Sequence, residues 1–473
     1  MCIETSCFPH DLKAAEITPI FKKEDRLDKA NYRPVSVLPC LSKIFESVFV
    51  DQLSEFFEIL FASEVSGFRK GRNCQHVLIN FIEKCKTAMD NKKVYGALLT
   101  DLSKAFDCLP PKLLVAKLHA YGLDRKSCMM IANYFCNRKQ RVKLSHIKSE
   151  WMYVIKGSPQ GSLLGPLMYN IHSNDLFYCI MMLCDVFNYA DDNTVGCDGD
   201  TILDVQYKLE TVSSIMIDWF EANHLKANPS KFQYIVFNKS SNPNDVSVLN
   251  VKDNTIQAEQ CVKLLGVTID SKLNFSDHIS ELCVKAGRKM NVIARLSTIL
   301  NSESKMLLFN SFILAHFNFC PVIWHFCKRS DKMKVEKIQY RALKYIDKDF
   351  TSSYQELRER YDKPLLHTSR LRYIVCEVFK CLHDINPAYL NDIFVVNNHN
   401  YDTRGVMTLR LPRYNSIKYG RDCFSYSGTL LWNSLDNDFR NVTCFKTFKR
   451  FLREWNGPVC KCSYCDICVL NNM

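Results

Sequence analysis

The sequence predicts an α+β fold, in which strands and helices alternate over about the first 280 residues and a mostly helical region follows. Three observations predict it. The run "VYGALLTDL" (94–102) is continuously apolar over the length of a strand and stops at a carboxylate, the pattern of a strand buried on both faces. The segment "CDVFNYADDNTVGCD" (184–198) reads as two short strands around a polar turn. Beyond 280, Leu282, Ala286, Met290, Ile293, Leu296 and Leu300 keep helical spacing, with Arg288 and Arg295 on the opposite side.

The remaining elements follow in order. "ITPIFKKEDRLDKANYRPVSVLPCLSKIFESVF" mixes a short apolar run, a basic pair, turn residues and a helical pattern that sets Ile44, Phe45, Val48 and Leu53 on one face. After "SGFRKGRNCQH" a helix is expected from about 75 to 90. Pro110 and Pro111 open the next helix, "KLLVAKLHAY" carries its apolar stripe, and Gly122 stands where a left-handed C-cap belongs. "QRVKL" reads as a strand, and "GSPQGSLLGP" as a glycine-rich turn that feeds a helix through Asp175. An amphipathic helix over 202–222 leads into "NHLKANPSKFQYIVF", a turn and then a strand. The Asn- and Ser-rich stretch at 238–247 is read as a loop.

Composition bounds the function. With 473 residues, 47% of them hydrophobic, the chain buries a full core and exceeds one typical domain. No apolar run reaches the roughly 18 residues of a spanning helix, and the N-terminus lacks a secretory pattern, so no membrane partner and an intracellular setting are expected. The 23 cysteines are scattered singly through apolar segments, which suits free thiols in a reducing compartment. Lys and Arg exceed Asp and Glu by 12, a balance that fits a polyanionic partner without requiring one.

Carboxylates carry the chemistry. Asp191 and Asp192 sit side by side in an otherwise buried hairpin, and Asp101 ends a buried strand, where an unpaired charge is costly unless it meets a cation. Aspartates at adjacent strand ends make an oxygen-rich cage for hard divalent cations, and Mg²⁺ takes few protein carboxylates because phosphates complete its shell. Two such ions about 4 Å apart promote in-line nucleotidyl transfer.

"TDLSKAFD", "KGSPQGSLLGPLMYNIHSNDL" and "NYADDNTV", in this order, resemble the palm motifs of reverse transcriptases of non-LTR, LINE-type and jockey-like retrotransposons. "TPIFKKEDRLDKANYRPVSVLPCLSKIFE" and "SGFRKGRNCQ" are similar to the fingers motifs of that family. "NHLKANPSKFQYIVF" is similar to its fourth palm motif, "VKLLGVTID" to its primer-grip region and "VEKIQYRAL" to a segment downstream of the palm. The resemblance implies a right-hand polymerase, with fingers and an antiparallel-sheet palm over 1–280, a helical thumb-like region over 281–385 and a C-terminal region with a cysteine-rich tail over 386–473. It also implies an RNA-directed DNA polymerase that extends a DNA 3′-hydroxyl in retrotransposition, the alternative being an inactive nucleic-acid-binding relic.

By the same resemblance Asp101, Asp191 and Asp192 hold two Mg²⁺ ions, with Mn²⁺ as a substitute, and Lys231 stands near the leaving pyrophosphate. Phe106 lies under the sugar and excludes a 2′-hydroxyl. Gln160 and Gly161 approach the nucleotide and template base. Arg69 meets the triphosphate, with Lys22 and Lys70 as further cations, Tyr189 contacts the primer end, and Gly266 belongs to the primer grip. The implied partners are an RNA template, a DNA primer or chromosomal target, and dNTPs, acting in nucleus and cytoplasm. The family usually carries an endonuclease upstream; it is expected from a missing upstream domain or another protein. Cys460, Cys462, Cys465 and Cys468 crowd the C-terminus, but their spacing lacks the separated pairs of a zinc ribbon, and the tail is read as oxidisable rather than zinc-binding.

Overall fold

The computed structural model describes residues 4–22, 25–102, 104–239, 247–397 and 407–458. The chain begins with strands β1 (Ala14–Phe21) and β2 (Tyr32–Val37), followed by helices α1 (Cys40–Glu58) and α2 (Cys74–Asp90). Asn73 caps α2 by accepting the His76 N–H at 3.1 Å. Then come β3 (Val94–Thr100), α3 (Ala105–Cys108), α4 (Pro111–Ala120), α5 (Arg125–Phe135), β4 (Lys139–Leu144), β5 (Ile147–Lys148) and β6 (Met152–Tyr153). Gly122 closes α4 at φ +96°. The long helix α6 (Leu164–Ile180) precedes β7 (Asp185–Tyr189), β8 (Asp192–Gly199), α7 (Ile202–Ala222) and β9 (Gln233–Phe237). Two hairpins, β10 (Val248–Val251) with β11 (Asn254–Gln257) and β12 (Cys261–Leu264) with β13 (Val267–Asp270), lead to α8 (Ser276–Arg295) and a helical remainder.

The central sheet has the order β7-β8-β3-β9, antiparallel throughout, so β3 is the interior strand its apolar run predicts. Strand alternation splits β3 between two cores. Val94 and Leu98 join α4, α5, α6 and α7 on one side, while Tyr95, Ala97 and Leu99 join α2, β12, β13 and α8 on the other. This second core continues without a break into Ile374 and Phe379 of the helix Leu366–Leu382 and into Phe424, Trp432 and Phe448. The apolar packing therefore crosses positions 280 and 385.

A second sheet, β2-β1-β4-β5 with β6 beside β4, lies apart from the first. It joins sequence-distant pieces: β1 pairs antiparallel with β2 and parallel with β4.

Two expectations need correction. On α1, Ile44 and Val48 face solvent, and the buried positions are Ser42, Glu46, Leu53 and Phe57. The cause is polar: the buried Glu46 carboxylate accepts the Tyr134 hydroxyl at 3.2 Å and the Leu163 N–H at 2.6 Å, and these distant partners turn the helix. On α8, Leu282, Ala286, Met290 and Ile293 are buried as predicted, but the helix ends at Arg295, so Leu296 and Leu300 lie beyond it. Each described cysteine is free. No described helix is long and apolar enough to cross a membrane. The 238–247 loop falls largely outside the described residues, and so do all four cysteines of the tail.

Candidate active site

The sheet order brings the carboxylates together. Asp101 follows the last residue of β3, and Thr100 pairs with Asn193 of β8, donating its hydroxyl to the Asn193 carbonyl at 3.0 Å. Asp191 occupies the two-residue turn between β7 and β8, and Asp192 begins β8 opposite Tyr189. The turn needs Ala190 at φ +59°, a left-handed conformation uncommon for a residue with a side chain.

Three asparagines and a glycine hold that turn. Asn188 donates its side-chain amide to the Ala190 carbonyl at 2.9 Å and to Asn193 Oδ1 at 2.8 Å. Val65 bridges to Asn188, and Gly67 lies directly behind the turn, where an added Cβ would stand 2.7 Å from Ala190 Cα. Asn170 of α6 fixes Gly67 by donating to its carbonyl at 2.6 Å. Sequence reasoning missed this buttress, although the glycine of "SGF" was its signal.

Charge crowding is the site's electrostatic signature. Burial, then repulsion from Asp191 and Asp101, raises the Asp192 carboxyl to about 6. The residue as a whole nevertheless keeps exposed surface. Asp191 is also raised, first by burial and next by Asp101, with Arg33 and Lys22 opposing. Lys231, in the turn Pro229–Lys231, sets its Nζ 3.9 Å from Asp101 Oδ2, and the Asn228 N–H donates to the Asp101 carbonyl at 3.1 Å. Among the described residues no three acidic, thiol or imidazole groups converge closely enough to enclose an ion by themselves. Carboxylates too few to enclose an ion suit a divalent cation whose other ligands come from phosphate and water.

Asp101 stands between two cavities. The first, about 540 Å³, is lined by Lys22, Arg33, Phe106, Gln160, Gly161 and Asp191 among others. Phe106 is flanked there by Tyr169 at 4.7 Å between ring centroids and by Phe68 at 6.0 Å. Gln160 donates to Asp107 Oδ1 at 2.8 Å. Gly161, at φ +124°, lies so close to Ser36 of β2 that a Cβ would stand 2.8 Å from its carbonyl oxygen. The second cavity, about 260 Å³, contains Asp192, Lys231, Lys263 and Leu265. Gly266 (φ +84°) and Leu265 (φ +46°) form the turn of the β12–β13 hairpin beside it, with the Phe319 ring 3.2 Å from where a Gly266 Cβ would be.

Three expected residues lie elsewhere. Arg69 is buried and faces away: its guanidinium donates to Glu58, to the Ala62 carbonyl at 3.1 Å and to the Val65 carbonyl at 3.0 Å. Phe68 at φ +59° turns the chain so that its own ring, not Arg69, reaches the first cavity. The cations that line that cavity are Lys22, Arg33 and Lys104; Arg33 and Lys104 were missed by sequence reasoning. Lys70 is exposed and lines neither cavity. Tyr189 packs inward towards Cys74 of α2, and burial raises its phenol.

Residues 20–269 match the family described as reverse transcriptase (RNA-dependent DNA polymerase). The chain is 28% identical over 363 residues to a probable RNA-directed DNA polymerase from transposon X-element of Drosophila melanogaster, covering 72% of this chain and 38% of that protein. It is 27% identical over 319 residues to the RNA-directed DNA polymerase from mobile element jockey of the same organism, covering 65% and 34%. It thus spans well under half the length of these curated relatives. Apo telomerase from Candida tropicalis aligns with 80% of this chain and 64% of its own, at 10% identity and a TM-score of 0.43. With more than half its residues in the family match, the paired aspartates on adjacent strands and the antiparallel palm sheet beneath them, this right-hand polymerase chain belongs to the reverse transcriptase family and is similar within it to the jockey-like non-LTR elements.

Proposed function

We propose that this chain extends a DNA 3′-hydroxyl on an RNA template, consuming dNTPs and releasing pyrophosphate, as the polymerase of a retrotransposon. The observation that carries the reading is the position of Asp101 between two cavities, with Asp191 lining one and Asp192 the other. The larger cavity takes the dNTP: Lys22, Arg33 and Lys104 supply positive charge for a triphosphate, and Phe106, backed by Tyr169, walls off the position of a 2′-hydroxyl. The smaller takes the primer end, under the β12–β13 turn at Leu265 and Gly266. Asp101, Asp191 and Asp192 would hold the Mg²⁺ ions, which would supply Lewis acidity for the attacking hydroxyl and the leaving pyrophosphate. Lys231 lines the smaller cavity, and its Nζ, 3.9 Å from Asp101 Oδ2, sets positive charge beside that carboxylate. The synthesis acts on chromosomal target DNA, which places it in the nucleus.

The test is primer extension on an RNA template with Mg²⁺. Extension by the native chain and its loss in Asp101→Asn, with RNA binding retained, is the expected result. RNA binding without extension by the native chain would leave only a nucleic-acid-binding protein.

A further inference from the structure

We propose that Phe68 supplies the surface against which the base of the incoming nucleotide packs, an apolar contact that favours no particular base; this rests on the polymerase reading above. Two observations single the residue out. Phe68 stands at φ +59°, a left-handed conformation that a residue with a side chain adopts only at a cost, and its ring is 57% exposed. A large apolar ring left open by a strained backbone returns little to the stability of the fold, which points to a use outside packing.

The chain on either side holds that conformation in place. Before it, the Gly67 carbonyl accepts the Asn170 amide at 2.6 Å, and Gly67 lies against the Ala190 backbone with no room for a Cβ. After it, the buried Arg69 guanidinium donates to the Ala62 carbonyl at 3.1 Å and to the Val65 carbonyl at 3.0 Å. Both neighbours are fixed inward, and the side chain between them is sent out. It reaches the larger cavity, where it meets Phe106 edge to face, with ring centroids 6.0 Å apart and planes at 86°. The turn that Gly67 backs also carries Asp191, so one backbone contact sets the ring and that carboxylate together.

The rest of the lining leaves the base as the occupant. Lys22, Arg33 and Lys104 offer charge to a triphosphate, and Phe106 stands on the side of the sugar. The base is the part of a nucleotide that remains, and its apolar faces match an open aromatic ring next to Phe106. Packing on such a ring reads no hydrogen-bonding edge, so one residue serves every base.

The experiment compares Phe68→Gly with the native full chain in primer extension on an RNA template. Glycine takes a positive φ freely, and a ring more than half exposed carries little burial away with it, so the variant is expected to melt at the native temperature. Its KM is expected to rise about 10-fold for every dNTP, more for dATP and dGTP than for dCTP and dTTP, with kcat changing less than KM. Phe68→Tyr keeps the ring and loses far less. The preference for dNTP over rNTP stays native, because Tyr169 still flanks Phe106 at 4.7 Å. A native KM in Phe68→Gly overturns the proposal. So does a narrowed sugar preference without any dependence on the size of the base, since that makes Phe68 only a prop for Phe106. Anisotropy of γ-labelled dATP, on the same template with a dideoxy-terminated primer and Mg²⁺, separates this proposal from the polymerase reading because it needs no turnover. Binding about 10-fold weaker in Phe68→Gly supports the contact even where the native chain fails to extend, which sinks the polymerase reading alone. Equal binding by the two chains, or none by the native chain, overturns the contact.

Discussion

On the proposed function, Asp192 links protonation to both stability and metal uptake. Its carboxyl is raised to about 6 in the folded chain against about 3.9 in an unfolded one. An acid raised in the folded state is protonated there over a window in which the unfolded chain has already ionised, so stability falls as pH rises from about 4 through 6. Asp191 shifts in the same direction and adds to the effect. Melting of the metal-free protein is therefore expected to drop over that window, and Asp192→Asn should flatten the drop. Divalent cations need the ionised carboxylates, so extension activity runs oppositely and should fall as pH is lowered through about 6. Coincident loss of stability and activity on acidification would contradict the assignment. Phe106 permits a second test at this scale. Phe106→Val removes the ring proposed to stand beside the sugar, and the preference for dNTP over rNTP in kcat/KM should narrow by roughly 10-fold or more. An unchanged ratio would assign Phe106 to packing with Tyr169 alone.

The β7–β8 hairpin and helix α2 show how elements position the site. The hairpin turn rests on Gly67, whose missing side chain lets one backbone lie against another. Gly67→Ala forces that turn outward, costs on the order of 1–3 kcal/mol and should lower kcat for extension while leaving RNA affinity in place. Helix α2 ties the palm to the C-terminal region through buried polar groups. Asp90 accepts the Asn415 N–H at 2.9 Å, the Ser416 N–H at 2.7 Å and the Ser416 hydroxyl at 2.6 Å. Glu83 accepts the Phe424 N–H at 2.7 Å, and the buried Lys86 ammonium meets the Asp422 carbonyl. Asp90→Ala leaves donors unpaired at that junction and should destabilise the chain by about 1–3 kcal/mol in denaturant melts. An effect within a few tenths would show that water replaces the carboxylate.

At the scale of the molecule, one core holds palm and C-terminal region together. Trp432 and Phe448 pack against Phe379, 6.5 and 4.3 Å away between ring centroids, in the same apolar cluster as β3 and α2. A chain ending at 385 strips that cluster of Phe394, Phe424, Trp432 and Phe448, and is expected to be insoluble or to bind an apolar dye such as ANS. A soluble, dye-silent and cooperatively melting truncation would show that the palm folds alone. Trp432→Ala offers a milder version, at about 3–5 kcal/mol.

The sequence by itself determined the class of fold, the strand that becomes the centre of the palm and the hairpin around Asp191 and Asp192. Each of these is written in a local pattern: an apolar run ended by a carboxylate, or two short strands about a turn. Only the tertiary structure decided which face α1 buries, because Glu46 finds Tyr134 and Leu163 some 90 and 117 positions away. It alone sent Arg69 inward, since one left-handed residue, Phe68, reverses where the next side chain points, and it alone set Arg33 of β2 on the cavity wall. It alone wrapped residues 407–458 onto α2, through contacts more than 320 positions apart in the chain. Periodicity reports which residues share a face; what covers that face depends on partners that no local pattern names.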